Sequence, residues 1–112
     1  MIKSGIDALR AAQESVLAED AVYRRGAATT DVRAVVGRTV FRTSNSYGEW
    51  VRTEARDFIV AAGILPFEPA RGDRIAWNGA EYEVLAPPNE PVWRWSDPQR
   101  TAMRIHTKLV GG

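Results

Sequence analysis

The sequence contains no cysteine. That excludes a disulfide framework, a thiolate nucleophile and any zinc site built on sulfur ligands. It is compatible with a reducing compartment. Histidine is almost as scarce: His106 is the single example, and one histidine without cysteine cannot build a usual zinc site. No metal and no other cofactor is expected. Charge of one sign is lacking too. The 15 basic and 14 acidic residues leave a net +1, far from the concentrated positive field of a dedicated nucleic-acid binder. No apolar run approaches the roughly 18 residues needed to cross a bilayer. The opening MIKSGIDALRAAQESVLAED carries acidic residues that do not suit a signal peptide. The chain therefore reads as soluble, without a membrane partner. Its glycines never cluster at the spacing of a phosphate-binding loop, and no internal repeat or low-complexity segment is visible.

What is present fits one globular domain. The 112 residues are 45% hydrophobic and 26% charged, an ordinary balance for a single folded unit. A domain this small buries a limited share of its surface and stays sensitive to partners. Residues 1–19 form a helical segment in this reading, followed by a β-domain over 20–112. Ile2, Ile6, Leu9, Val16 and Leu17 recur at helical spacing between residues 2 and 18, with Ser4 and Asp7 placed as a capping pair.

Beyond Asp20 the period changes. Ala21–Arg25 and Asp31–Val36 read as strands joined by a hairpin loop over Gly26–Thr30, with Val32, Ala34 and Val36 on one face. Arg42–Glu49 is polar throughout and reads as a long, exposed, flexible loop. Trp50–Val60 resumes strand character, and Pro66 and Pro69 follow it. The next segment is the clearest. Asn78-Gly79 separates two alternating runs, a strong hairpin signal that places Ile75, Trp77, Tyr82 and Val84 on one buried face. Val92–Trp95 and Met103–Val110 complete six or seven short strands, the latter with Met103, Ile105, Thr107 and Leu109 on one face. The expected architecture is mainly β, a small barrel or sandwich with one N-terminal helix.

Chemistry-bearing residues are few. His106 reads as an ordinary surface or interface residue, with a pH-sensitive contact as the alternative. Asp57, Asp73, Glu81, Glu83 and Asp97 lie on different elements, so no carboxylate pair suggests acid–base work. No catalytic residue is assigned and no enzyme is expected. Arg71-Gly72-Asp73 spells a cell-adhesion tripeptide, but a turn made by Gly72 and bonded by Asp73 explains it more simply.

Trp93 and Trp95 flank Arg94 and point to one side of their strand. They either cover one end of the fold or form a contact surface, since Trp and Arg are enriched at interface hot spots. Aromatic residues beside arginine also suit single-stranded nucleic acid. Trp50 borders the polar loop and is the tryptophan expected to be exposed. The basic residues are scattered, with Arg24-Arg25 the one adjacent pair, and read as a solvated face or as a patch facing DNA or an acidic protein.

The order of these motifs resembles a known family. An N-terminal helix, Val22-Tyr23-Arg24-Arg25-Gly26, a polar loop and Arg56-Asp57-Phe58-Ile59-Val60 follow one another. Then come Pro69-Ala70-Arg71-Gly72-Asp73-Arg74-Ile75, Asn78-Gly79-Ala80-Glu81-Tyr82-Glu83-Val84, Trp93-Arg94-Trp95-Ser96-Asp97 and Arg104-Ile105-His106-Thr107-Lys108. Together they resemble the small head–tail joining, or head-completion ("stopper"), proteins of long-tailed phages and prophages, from about Ala21 to Val110. The resemblance implies a structural protein of the virion neck, assembled in the host cytoplasm. It implies a six-fold ring beneath the portal and its adaptor that closes the DNA channel and docks the tail, built from subunits that can be monomeric when free. Packaged DNA would lie close by. Within that frame Ser44, Asn45, Ser46, Tyr47, Gly48 and Trp50 are the expected gating or docking segment, with Arg24, Arg25, Trp93, Arg94 and Trp95 as further interface candidates. The alternatives are a small-barrel nucleic-acid-binding module and a tail-completion protein of the same phage system.

Overall fold

The structure is a computed structural model that describes residues 18–111. Seven strands form one antiparallel sheet: β1 (Glu19–Arg25), β2 (Ala28–Ser44), β3 (Trp50–Ala61), β4 (Arg74–Trp77), β5 (Ala80–Val84), β6 (Trp93–Trp95) and β7 (Ala102–Gly111). The mainly-β expectation holds, in one sheet rather than the two of a sandwich. The helix read over residues 2–18 lies outside the described residues but for Ala18, which is irregular. Glu19 already opens β1.

The strands pair in the order β3-β2-β1-β4-β5-β7-β6, and β7 pairs with β3 as well. The path of hydrogen-bonded neighbours from β3 through β2, β1, β4, β5 and β7 thus returns to β3. The side chains enclosed along it are the core: Ala21, Tyr23, Val32, Ala34, Phe58, Val60, Ile75, Tyr82, Val84, Met103 and Ile105, with Leu65. Period-two alternation puts them there, since every second residue of each strand faces the same side. Phe58 is central, with Tyr82 at 5.3 Å and Trp77 at 5.9 Å, both edge-on. Burying such an aromatic side chain stabilises the fold by roughly 1.5–3 kcal/mol.

The Asn78-Gly79 turn is as expected. Asn78 has φ 52° and Gly79 φ 77°, the two positive values of a type I′ turn, whose twist matches that of the strands it joins. Ile75, Trp77, Tyr82 and Val84 do face the core.

Several expectations need correction. The first hairpin loop is not Gly26–Thr30 but the two residues Gly26 and Ala27, because Ala28 already pairs with Arg25. Thr29 and Thr30 extend the ladder, in keeping with the strand preference of β-branched residues. The strands are not uniformly short, since β2 runs 17 residues and β3 runs 12. The polar loop is not Arg42–Glu49. Arg42, Thr43 and Ser44 pair with Arg52, Val51 and Trp50, which leaves Asn45–Glu49 as the turn. Leu109 shares a face with Ile105 but stands 56% exposed, as β7 outruns the core.

His106 is the largest departure. It is fully buried, with Nδ1 2.8 Å from Asp57 Oδ1. It faces away from the core formed by Phe58 and Ile105, into a second, polar layer.

Candidate interaction site

The sheet's pairing creates a projecting arm. β2 pairs with β1 only as far as Ala34, and β3 pairs with β7 only from Arg56 onward. Between these limits and the Asn45–Glu49 turn, β2 and β3 pair only with each other among the described residues. Six residue steps from Arg38 to Ser44 make about 20 Å of two-stranded ribbon, at ~3.3 Å per residue. The long axis of the molecule is 57 Å against 32 and 23 Å for the others. The ribbon has no core: Val51, Arg52, Thr53 and Glu54 are all exposed, Tyr47 is 85% exposed and Trp50 76%. An isolated two-stranded ribbon is marginal in water, and among the described residues neither outer edge pairs with a further strand.

Two devices hold the arm in shape. At the tip, the Asn45 side-chain oxygen accepts from the amides of Tyr47 (2.9 Å) and Glu49 (3.0 Å), and the Asn45 amide donates to the Glu49 carbonyl at 2.8 Å. Gly48, at φ 80°, supplies the left-handed residue that closes the turn. The tip is thus a hydrogen-bonded turn. At the root, Asp57 of β3 gathers Thr39 of β2 and Arg104 and His106 of β7. Arg104 donates to Asp57 Oδ2 at 2.6 Å and to Thr39 at 3.3 Å, and the Thr39 hydroxyl donates to Asp57. Phe41 closes over the His106 ring edge-on at 5.5 Å. Burial alone would raise the Asp57 pKa. The hydrogen bonds from His106, Thr39 and Arg104 outweigh it and hold the carboxyl below its ordinary range.

Family comparison connects this geometry to a role. A model of the family described as phage head-tail joining protein matches residues 1–112. This chain belongs to that family. No curated protein matches it. Membership assigns the chain to the junction of phage head and tail and gives it other head and tail proteins as partners.

Within this family member, the residues anticipated from the sequence fall into separate regions. Ser44, Asn45, Ser46, Tyr47, Gly48 and Trp50 lie together at the arm tip. Trp93 and Trp95 stand at the other edge of β7, ring to ring at 5.0 Å and edge-on. Their strand partners are Ile105 and Met103, and Trp93 packs against the core. Arg94 points the opposite way and is exposed.

Arg24 and Arg25 are engaged by the chain's own carboxylates. Arg24 pairs with Glu81. Arg25 pairs with Asp73 at 2.9 Å, donates to the Glu68 carbonyl at 2.7 Å and lies 3.8 Å above the Phe67 ring. Asp73 also accepts from the Tyr23 hydroxyl and the Ala70 amide. It is buried, so the Arg71-Gly72-Asp73 tripeptide cannot present its aspartate, and Gly72 (φ 93°) makes the turn. Burial would raise the Asp73 pKa, but Arg25, Tyr23 and the Ala70 amide hold it low. Burial, then Asp73, push the Tyr23 hydroxyl far up.

Sequence reasoning missed the Asp57 cluster. The usable signal was Arg104 and His106 alternating with Met103 and Ile105, and an aspartate set within an apolar strand. The Asp57–His106 pair has the composition of a catalytic dyad but not its access. Both side chains are buried, and His106 Nε2 has no hydrogen-bond partner among the described residues. Neither lines the 1240 Å³ groove floored by Val22, Val35 and Ile59, nor the 440 Å³ groove between Arg42, Trp50, Val51 and Arg52. Among the described residues no group of His, Asp and Glu could hold a metal ion.

Proposed function

We propose that the protein is a non-enzymatic stopper: a ring component below the portal and adaptor that closes the DNA channel and docks the tail. The pairing path that returns to β3 makes the body a small closed barrel in this reading, and a compact body suits side-to-side packing in a ring. Such a ring needs heterologous contacts that close by rotation, and six subunits are what resemblance to the stopper proteins implies. The observation that carries the reading is the arm. A ribbon of exposed side chains and open edges, held at its root by a buried cluster, adds nothing to the hydrophobic core. It suits a segment that reaches into a channel or onto a neighbour.

The test is electron microscopy of particles made without this gene, then with the gene lacking Asn45–Glu49. The expected result in both is filled or leaking heads beside unattached tails. Normal tailed particles without the gene would remove the joining role. Normal particles from the shortened arm alone would move the docking surface elsewhere on the molecule.

A further inference from the structure

The two faces of the arm differ in chemistry. Cross-strand partners share a face, and the pairs Arg38–Arg56, Val40–Glu54, Arg42–Arg52 and Ser44–Trp50 line one side. That side carries four arginines and a single acid. Glu54 lies 2.8 Å from Arg52 and 3.8 Å from Arg38. The opposite face presents Thr39, Phe41, Val51, Thr53 and Ala55 around the Asp57 cluster. The arginine face nets +3 while the whole chain nets +1, so the remainder of the chain nets −2. Near-neutral overall charge conceals a local cationic strip.

Folding does not explain this strip. Like charges placed directly opposite on neighbouring strands destabilise a sheet, and here it happens twice in one ribbon. Arg38 and Arg52 are 66% and 59% exposed, so burial brings no compensation. Glu54 relieves part of this repulsion from between the two pairs, and a further anion would relieve the rest.

We propose that the arginine face of the arm binds the phosphate backbone of double-stranded DNA. The geometry favours a duplex. The two arginine pairs are four residues apart, about 13 Å at ~3.3 Å per residue. The major groove is about 12 Å wide and admits a two-stranded ribbon. Each pair then meets one of the two backbones that border the groove, where guanidinium forks fit phosphate oxygens. Trp50, beside Arg52 at the exposed tip, lies flat against the sugar edge beyond. The contact is sequence-independent, because phosphates carry no base information. It deepens the stopper reading by naming what the arm meets in the channel, yet the surface is argued from the arm alone.

The test uses the full chain and a mixed-sequence duplex of about 20 base pairs, with anisotropy followed from 25 to 200 mM salt. Four phosphate contacts give a log–log salt slope of about −3 to −4. The double variant Arg42→Gln, Arg52→Gln should lose about two units of that slope, and Arg42→Lys, Arg52→Lys should keep it. Circular dichroism of each variant guards against unfolding. Three results would overturn the assignment: no binding tighter than about 0.1 mM at low salt, an unchanged slope in the glutamine variant, or tighter binding to a single strand than to the duplex. Binding to poly-L-glutamate in preference to DNA would overturn it too, and would assign the strip to an acidic protein surface. None of these outcomes depends on particle assembly, so the joining role stands or falls separately.

Discussion

Two hairpins of this sheet are built on opposite terms. The β4–β5 hairpin is short, turns on Asn78-Gly79 and directs Ile75, Trp77, Tyr82 and Val84 inward. The β2–β3 hairpin is long, turns on a side-chain-bonded Asn45, and beyond Arg38 contributes almost nothing to the core. One hairpin holds the molecule together. The other reaches out of it, and its charged face works against its own pairing. Stability and the proposed docking are thus separated along the sequence, with the Asp57 cluster at the boundary.

That separation can be broken or sharpened by substitution. The largest effect belongs to the boundary. Asp57→Ala leaves Arg104 and His106 facing each other without their carboxylate and should cost about 3–5 kcal/mol, read from urea denaturation. Tyr82→Ala, in the inward hairpin, removes a ring packed on Phe58 and Trp77 and should cost a similar or slightly smaller amount, about 2–5 kcal/mol.

The two turns offer a paired comparison. Gly79 and Gly48 have nearly the same positive φ, and a Cβ at either meets open space. Gly79→Ala should lower global stability by about 1–2 kcal/mol from backbone strain. Gly48→Ala should lower it by less than about 0.5 kcal/mol, because the arm tip frays locally before the body unfolds. Equal losses in thermal melts would show the arm to be part of the cooperative unit.

Acid provides a fourth probe. The Asp57 and Asp73 carboxyls are held below their ordinary value of 3.8. Their stabilisation is therefore present in full above that pH and is lost as pH falls through the lower, folded-state values. Asp73→Asn should flatten the acid limb of the stability curve while leaving the arm's hydrogen exchange unchanged. Smallest in energy is Trp50→Ala, within about ±0.5 kcal/mol. If the arm docks as proposed, this same change abolishes head–tail joining in a complementation assay.

The inward hairpin was fully legible because its signals are local: a two-residue turn type and strict alternation on either side. The arm was half legible. Arg42, Thr43 and Ser44 carry no apolar alternation, and only their partners Arg52, Val51 and Trp50 make them a strand. The Asp57 cluster was not legible as a unit. Asp57 lies 18 residues from Thr39 and 49 from His106 in sequence, and only the β2–β3 and β3–β7 pairings together bring them into one cluster. The arginine face is invisible in the linear sequence, because only the β2–β3 register sets Arg38 opposite Arg56 and Arg42 opposite Arg52.

The arm is also a lever. Its fulcrum is the Asp57 cluster and its free end lies about 20 Å away. A tilt of about 20°, the scale at which neighbouring strands already twist, would sweep Trp50 through about 7 Å. Sub-ångström adjustments at the fulcrum, where β2, β3 and β7 meet, are thereby multiplied at the tip. In the proposed ring, such levers would alter the central aperture without disturbing the body of any subunit.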